Sequence, residues 1–209
     1  MDWLWILTFI MSAVFATILV TWVLLQALTP CEEPIPGRVK TCLVLGSGGH
    51  TAEMLKLVQT LDKQVYTPRS YFIAQTDKFS QEKLANTENQ GEYSVCLIPR
   101  SREVKQSYMT SIPSTLLSFL HCMPMVLSCR PQLLLVNGPG TCLPVAVLVW
   151  LLQITRISTC KIVFVESLCR VKTLSLTGKI LQFFADEVLV QWPELAALYP
   201  RTKFIGRFL

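Results

Sequence analysis

The sequence predicts an α/β protein with a parallel sheet covered on both faces, preceded by a helix that crosses a membrane. Three observations carry this. After residue 40, short apolar runs rich in β-branched residues alternate with longer segments of helical periodicity. Gly, His, Arg and Glu gather just beyond the ends of those runs, where ligands bind in such sheets. Ahead of them, residues 3–28, "WLWILTFIMSAVFATILVTWVLLQAL", carry no charged side chain.

As a helix the uncharged run would reach about 39 Å, enough to cross a hydrocarbon core of ~30 Å with some tilt. A cleaved leader is the competing reading, but the run is too long, lacks a basic start and shows no small-x-small site before the polar "CEEPIPGR". Trp3 and Trp5 at one end and Trp22 near the other suit the two membrane interfaces. Only Asp2 precedes the run, whereas Arg38 and Lys40 follow it. Orientation is set by Lys and Arg and largely ignores acids, so the C-terminal domain is expected in the cytosol. The expected organisation is an anchor over 1–29, a linker over 30–40 and one α/β domain over 41–209.

The strand-like runs follow in order: "TCLVL" (41–45), "SYFIAQ" (70–75), "YSVCLI" (93–98), "QLLLVN" (132–137), "CKIVFVE" (160–166), "EVLVQ" (187–191) and "KFIG" (203–206). Helices are expected between most of them, notably over 51–61, 111–128, 142–154 and 174–185, and no internal repeat interrupts the alternation. The uninterrupted apolar stretch 143–154 is too short to cross a bilayer and reads as a buried or membrane-resting helix. A net charge of +5 with scattered basic residues gives no indication of nucleic-acid binding. The eight cysteines contain no CxxC pair and lie mostly in apolar runs, which reads as free buried thiols in a reducing compartment. No Cys/His cluster has metal-ligand spacing, so no metal is expected.

Chemistry concentrates in the turns "GSGGHT", "QTD", "PRSREVKQS", "NGPGT", "ESLCR" and "QWPEL" that follow the first six strands. A glycine turn between strand and helix aims free backbone N–H groups and the positive helix end at whatever lies above, which favours a phosphate or diphosphate. "GSGGHT" is not a dinucleotide fingerprint, because Thr51 stands where the third glycine belongs, and no Gly-Lys-Ser/Thr follows to make a P-loop. With "NGPG" it makes two facing glycine loops that let backbone approach a bulky anion. His50, in the first helical turn, is either a packing histidine or a general base, with a pKa expected to be depressed by the helix N-terminus. Glu166, at the end of the fifth strand, could orient the histidine, bind a sugar hydroxyl, be the base itself, or simply pair with Arg170. Arg100, Arg102 and Lys105 share one loop, which is either merely solvated or suited to lipid-linked phosphates.

With "GSGGHTAEML", "PRSREV", "NGPGTC", "ESLCRV", "LSLTGKI" and "QWPEL" in this order, the chain resembles the family of membrane-anchoring subunits of the eukaryotic UDP-N-acetylglucosamine transferase. That two-subunit enzyme adds the second GlcNAc to dolichol diphosphate in N-glycan assembly. The chain is similar, more distantly, to the N-terminal half of the bacterial lipid II-forming transferase, an enzyme of the GT-B fold. The resemblance implies a Rossmann-like acceptor-binding domain, with the donor UDP-GlcNAc held mainly by a soluble partner subunit, and no cofactor.

By position, Gly46, Ser47, Gly48, Gly49 and Thr51, with Asn137, Gly138, Pro139, Gly140 and Thr141, then form the acceptor-diphosphate set, joined by Arg100 and Arg102. On the resemblance, His50 is expected to be the base that deprotonates the acceptor 4-hydroxyl, with Glu166 as the alternative. It further implies that the tail residues Gly206, Arg207, Phe208 and Leu209 dock the partner and that the complex works at the endoplasmic reticulum membrane. A different reading is a non-catalytic scaffold that only recruits a soluble enzyme.

Overall fold

A computed structural model of the chain describes residues 35–88, 91–101, 111–138 and 140–207, with scattered positions between 3 and 25. The chain divides into two units, 1–33 and 34–209. In the first, every described residue is helical and exposed, including Trp3 and Trp5. Its threonines turn their hydroxyls onto the helix itself: Thr17 donates to the Ala13 carbonyl and Thr21 to the Thr17 carbonyl, each at 2.7 Å. That back-bonding satisfies the hydroxyls within the helix itself.

The second unit carries seven strands: β1 (Thr41–Leu45), β2 (Arg69–Ala74), β3 (Tyr93–Ile98), β4 (Leu133–Asn137), β5 (Lys161–Val165), β6 (Glu187–Val190) and β7 (Lys203–Phe204). Between them lie α1 (Gly49–Thr60), α2 (Lys78–Thr87), α3 (Ser111–Cys129), α4 (Cys142–Ile154), α5 (Leu176–Leu181) and α6 (Pro193–Leu198). All seven strands are parallel, in the order β3-β2-β1-β4-β5-β6-β7. The expected α/β architecture is therefore present.

Both faces of β1 are buried, as its unbroken apolar run requires. Leu43, Leu45, Tyr71, Ile73 and Leu135 point one way and close a core with Met54, Leu55 and Val58 of α1 and Leu84 of α2. The alternate residues Cys42, Val44, Phe72, Leu134 and Val136 are equally buried, and α4 packs on β1, β4 and β5. Far from the turns, Arg69 at the start of β2 is 1% exposed and clamps Glu88 with two hydrogen bonds of 3.1 Å, tying the sheet to the end of α2.

Several elements differ from expectation. α2 reads weakly because "KFSQEKLANT" buries a single apolar residue, Leu84; its start is set by Asp77, which accepts from the Ser80 N–H at 3.1 Å. α6 occupies what reads as a turn, begun by Pro193 in the first helical position. α5 and β7 are shorter than the runs that suggested them. The stretch over 142–154 is a core helix, with Val145, Ala146, Leu148 and Val149 at most 2% exposed. It is α3 that keeps an apolar face in the open, with Ile112, Leu116 and Leu117 about 60% exposed on a helix without a Lys, Arg, Asp or Glu. Of the cysteines, Cys42, Cys122, Cys142 and Cys160 are buried free thiols, Cys96 and Cys129 are half-buried, and Cys169 is exposed because it sits in the polar turn after β5.

Candidate active site

Strand order reverses between β1 and β4, so the chain leaves these neighbours toward opposite halves of the sheet and opens a crevice at their carboxyl ends. The two glycine turns flank that crevice. Gly48 (φ 67°, ψ −120°) holds a conformation that residues with a Cβ avoid, and it lets the chain pass from β1 into α1 within a few residues. Thr51 is fully buried beneath the turn; its hydroxyl donates to the Gly46 carbonyl and lies 2.5 Å from the Ser80 hydroxyl.

The glycines divide into two kinds. A Cβ on Gly46 would sit 2.9 Å from the Cβ of His50, and one on Gly138 (φ 109°) would sit 2.9 Å from its Cγ. These two glycines make room for the imidazole. Around Gly48 and Gly49, by contrast, a Cβ would meet nothing within 4 Å, and both are exposed. The open backbone at the start of α1 is the part of the loop free to receive an anion.

His50 Nδ1 lies 2.9 Å from Asn137 Oδ1. Asn137, 1% exposed at the end of β4, donates from Nδ2 to Glu53 Oε2 at 3.0 Å, and Ser167 donates its hydroxyl to Glu53 Oε1 at 2.7 Å. Glu53 Oε2 also lies 3.8 Å from His50 Nδ1. The Glu53 carboxylate holds His50 above the ordinary imidazole value, against the opposing effect of burial, and Asn137 and the Glu166 charge add to the upward shift. The direction is opposite to the one expected from the helix N-terminus. Burial pushes Glu53 upward, but the nearby imidazole and the hydrogen bonds from Asn137 and Ser167 outweigh it and keep the carboxyl below its usual value.

Glu166, 2% exposed, accepts the Ser175 N–H at 2.8 Å and the Ser167 N–H at 3.1 Å. Ser175 in turn caps α5 by accepting from the Gly178 N–H at 2.9 Å. Burial raises the Glu166 pKa, against the opposing donors of Ser175 and Ser167 and the charge of Arg170. No ion pair joins Glu166 to Arg170 among the described residues. A cleft of about 270 Å³ opens here, lined by His50, Gly138 and Gly140 together with Glu166, Arg170, Ser175 and Thr177, with Ser111 and Thr115 of α3 alongside.

The structure thus brings His50, Glu166, Gly138 and Gly140 to one cleft, with the open backbone of Gly48 and Gly49 beside His50. Asn137 and Thr51 stand behind that surface, their polar groups spent on His50, Glu53 and the Gly46 carbonyl. Ser47 is half-buried in the first turn, and Thr141 is half-buried just before α4. Arg100 is half-buried and is not one of the described residues lining the cleft, whereas Arg170 is. Gly206 takes φ 80°, and the Arg207 guanidinium lies 4.5 Å from the Trp192 ring. Arg102, Lys105, Pro139, Phe208 and Leu209, with Trp22 of the N-terminal run, fall outside the described residues. Glu53, Ser167 and Arg170 were not legible as site residues. Glu53 reads as one more polar position on α1, and only its spacing of three residues from His50 could have pointed to it.

The family model described as "Oligosaccharide biosynthesis protein Alg14 like" matches residues 41–208. The chain is 47% identical over 177 residues to the UDP-N-acetylglucosamine transferase subunit ALG14 of Rattus norvegicus, covering 80% of this chain and 82% of that protein. It is 42% identical over 204 residues to the human protein of the same name, with 92% of each covered. Among solved structures, MurG of Acinetobacter baumannii superposes with a TM-score of 0.55 at 15% identity, covering 73% of this chain and 41% of that one. A putative UDP-N-acetylglucosamine 2-epimerase of Listeria monocytogenes gives 0.57 at 13%, covering 75% and 40%. The chain thus spans about two-fifths of either structure, and at these identities the likeness is one of fold. With the sequence matches covering nearly all of the sheet domain, this chain belongs to the Alg14-like family of oligosaccharide biosynthesis proteins.

Proposed function

We propose that the chain is the membrane-anchoring, acceptor-binding subunit of a two-subunit transferase that moves GlcNAc from UDP-GlcNAc to GlcNAc-diphosphodolichol at the endoplasmic reticulum. The observation that carries this is His50, gripped between Gly46 and Gly138 at the switch point of the sheet, beside open glycine backbone. A base and an anion seat lie side by side, as a sugar diphosphate acceptor requires. The acceptor diphosphate rests on the N–H groups of Gly48 and Gly49, with Arg170 across the cleft as a counter-charge. Thr51 serves the seat from below by fixing the loop.

In the reaction, His50 Nε2 takes the proton of the acceptor 4-hydroxyl while that oxygen forms a bond to the anomeric carbon of UDP-GlcNAc. UDP departs with the bonding electron pair, and attack from the opposite side inverts the centre to a β1,4 linkage. The geometry favours His50 over Glu166 as base: the imidazole side chain is 30% exposed, whereas Glu166 has its two oxygens committed to backbone N–H groups. The relatives matched over most of their length are named as transferase subunits, which supports a donor-binding partner chain for this one as well. The uncharged helical run at the N-terminus and the bare apolar face of α3 support attachment to the membrane. Gly206 and Arg207 begin the tail assigned to the partner, and removal of residues 206–209 is expected to abolish co-purification of the soluble subunit.

The test is GlcNAc transfer to a GlcNAc-diphosphate-lipid acceptor by membranes carrying this chain and its soluble partner, compared at equal partner recruitment. His50→Ala is expected to lose on the order of 10²–10⁴-fold in kcat. Wild-type rates in His50→Ala, with the partner retained, would overturn the catalytic reading in favour of a scaffold.

A further inference from the structure

We propose that Glu53, linked to the imidazole through the Asn137 amide, is the positioning residue that decides which nitrogen of His50 faces the cleft with a free lone pair. The inference rests on the reading of His50 as base and supplies the part that reading leaves open. A neutral imidazole is a base at only one of its two nitrogens, so a histidine of undetermined tautomer would be only partly competent.

The argument follows from what each group is able to do. An ionised carboxylate only accepts hydrogen bonds. Glu53 already takes the Ser167 hydroxyl on Oε1 at 2.7 Å and lies 3.0 Å from Asn137 Nδ2 on the other oxygen. The nitrogen of the Asn137 amide must therefore face Glu53, which turns Oδ1 toward His50 at 2.9 Å. A carbonyl oxygen also only accepts, so Nδ1 has to carry the ring proton. Nε2 keeps the lone pair. The backbones of Gly46 and Gly138, close against Cβ and Cγ, hold the ring in this orientation.

The network spans three elements, from α1 through the end of β4 to the turn after β5. Its central charge is 9% exposed, and burying a charge costs free energy unless donors surround it. A glutamine of the same size would pack in its place; what it would not do is enforce a direction, because its amide both donates and accepts. Among the described residues, the charged groups around His50 are Glu53 on its own helix, Glu166 at the end of β5 and Arg170 on the turn beyond. Of these, Glu53 bonds directly to the Asn137 amide that meets the ring. Glu53 also holds the imidazole pKa up, so its removal has a second, separable effect.

The experiment is a long-range ¹H–¹⁵N spectrum of the full chain, ¹⁵N-labelled at histidine and embedded in nanodiscs, recorded at a pH where the ring is neutral. The chain has two histidines, and His121→Gln assigns the second. Wild type is expected to show His50 protonated at Nδ1. Glu53→Gln should move the proton toward Nε2 as Asn137 turns over, and Glu53→Asp, still acceptor-only, should retain the Nδ1 form. With the partner present, Glu53→Gln should lower kcat/KM on the order of 10²-fold and move the acid limb of its pH profile to lower pH. A wild-type ring protonated at Nε2, or a tautomer unmoved by Glu53→Gln, would overturn the proposal. Because the spectrum needs no turnover, a result in which the tautomer follows Glu53 but His50→Ala stays active would sink the catalytic reading alone.

Discussion

Glu53 and Glu166 meet at Ser167, whose hydroxyl donates to one and whose N–H donates to the other, and the protein treats their charges in opposite ways. Glu53 accepts from the Asn137 amide and the Ser167 hydroxyl, and these donors with the nearby imidazole hold its carboxyl below the usual value although burial pushes the other way. Glu166 is met by backbone N–H groups, yet deeper burial prevails and its pKa rises. Depth alone does not set the charge of a carboxyl; the balance of donors against lost water does. The comparison also separates two kinds of work. Glu53 reaches the His50 imidazole through Asn137, whereas Glu166 organises the turn after β5 and the start of α5, so that the wall carrying Ser175 and Thr177 keeps its shape.

This division is sharpest under truncation. Glu166→Ala removes the acceptor from the N–H groups of Ser167 and Ser175, and is expected to cost about 2–6 kcal/mol of stability, at 1–3 kcal/mol for each donor left unpaired. Thermal unfolding of the full chain in detergent, followed by near-ultraviolet circular dichroism, reads the loss directly. Gly178→Ala attacks the same wall from behind, because its Cβ would stand 2.5 Å from Glu166 Oε2. About 1–3 kcal/mol is expected there from overpacking. If Gly178→Ala unfolds no earlier than wild type, the wall is softer than the backbone hydrogen bonds imply.

Acid provides a gentler contrast. Glu53, depressed in the fold, contributes stability that is present above its unfolded pKa of about 4.3 and is lost as the pH falls through its lower folded value. Glu166, raised in the fold, behaves oppositely: stability is gained as the pH falls through its folded value toward about 4.3. Glu53→Gln should therefore flatten the acid limb of a stability–pH curve, and Glu166→Gln should flatten the decline on the weakly acidic side. His50, also raised, adds stability below its unfolded value of about 6.5 that disappears as the pH rises through the folded one. In Glu53→Gln that smaller contribution should shrink. Curves that move the same way for both glutamate variants would break the comparison.

Much of the frame was legible because continuous apolar runs such as "TCLVL" and "KIVFV" have few alternatives to a buried parallel strand. The position of the site followed from turns at one sheet edge. What the sequence did not disclose was the division of labour inside those turns. Gly46 and Gly48 look equivalent in "GSGG", but one leaves space for a ring while the other stands open, and only the packing of His50 distinguishes them. Asn137 looked like part of an anion loop, whereas its amide is spent between His50 and Glu53. The exposure of the helices was hidden on similar grounds. α3 and α4 are both apolar, and which of them lies under the sheet edge and which shows a bare face depends on neighbours far away in sequence.

The pairing of β1 with β4 has a consequence for how the molecule is made. Thr41 aligns with Leu133, so the strand that will carry the histidine turn leaves the ribosome well before its neighbour on that side. At roughly 5–20 residues per second, the interval is on the order of 5–20 s. Throughout it, one edge of a strand buried on both faces is without its partner. The nascent chain is then most exposed to wrong pairing, and the crevice does not exist until β4 arrives and closes it.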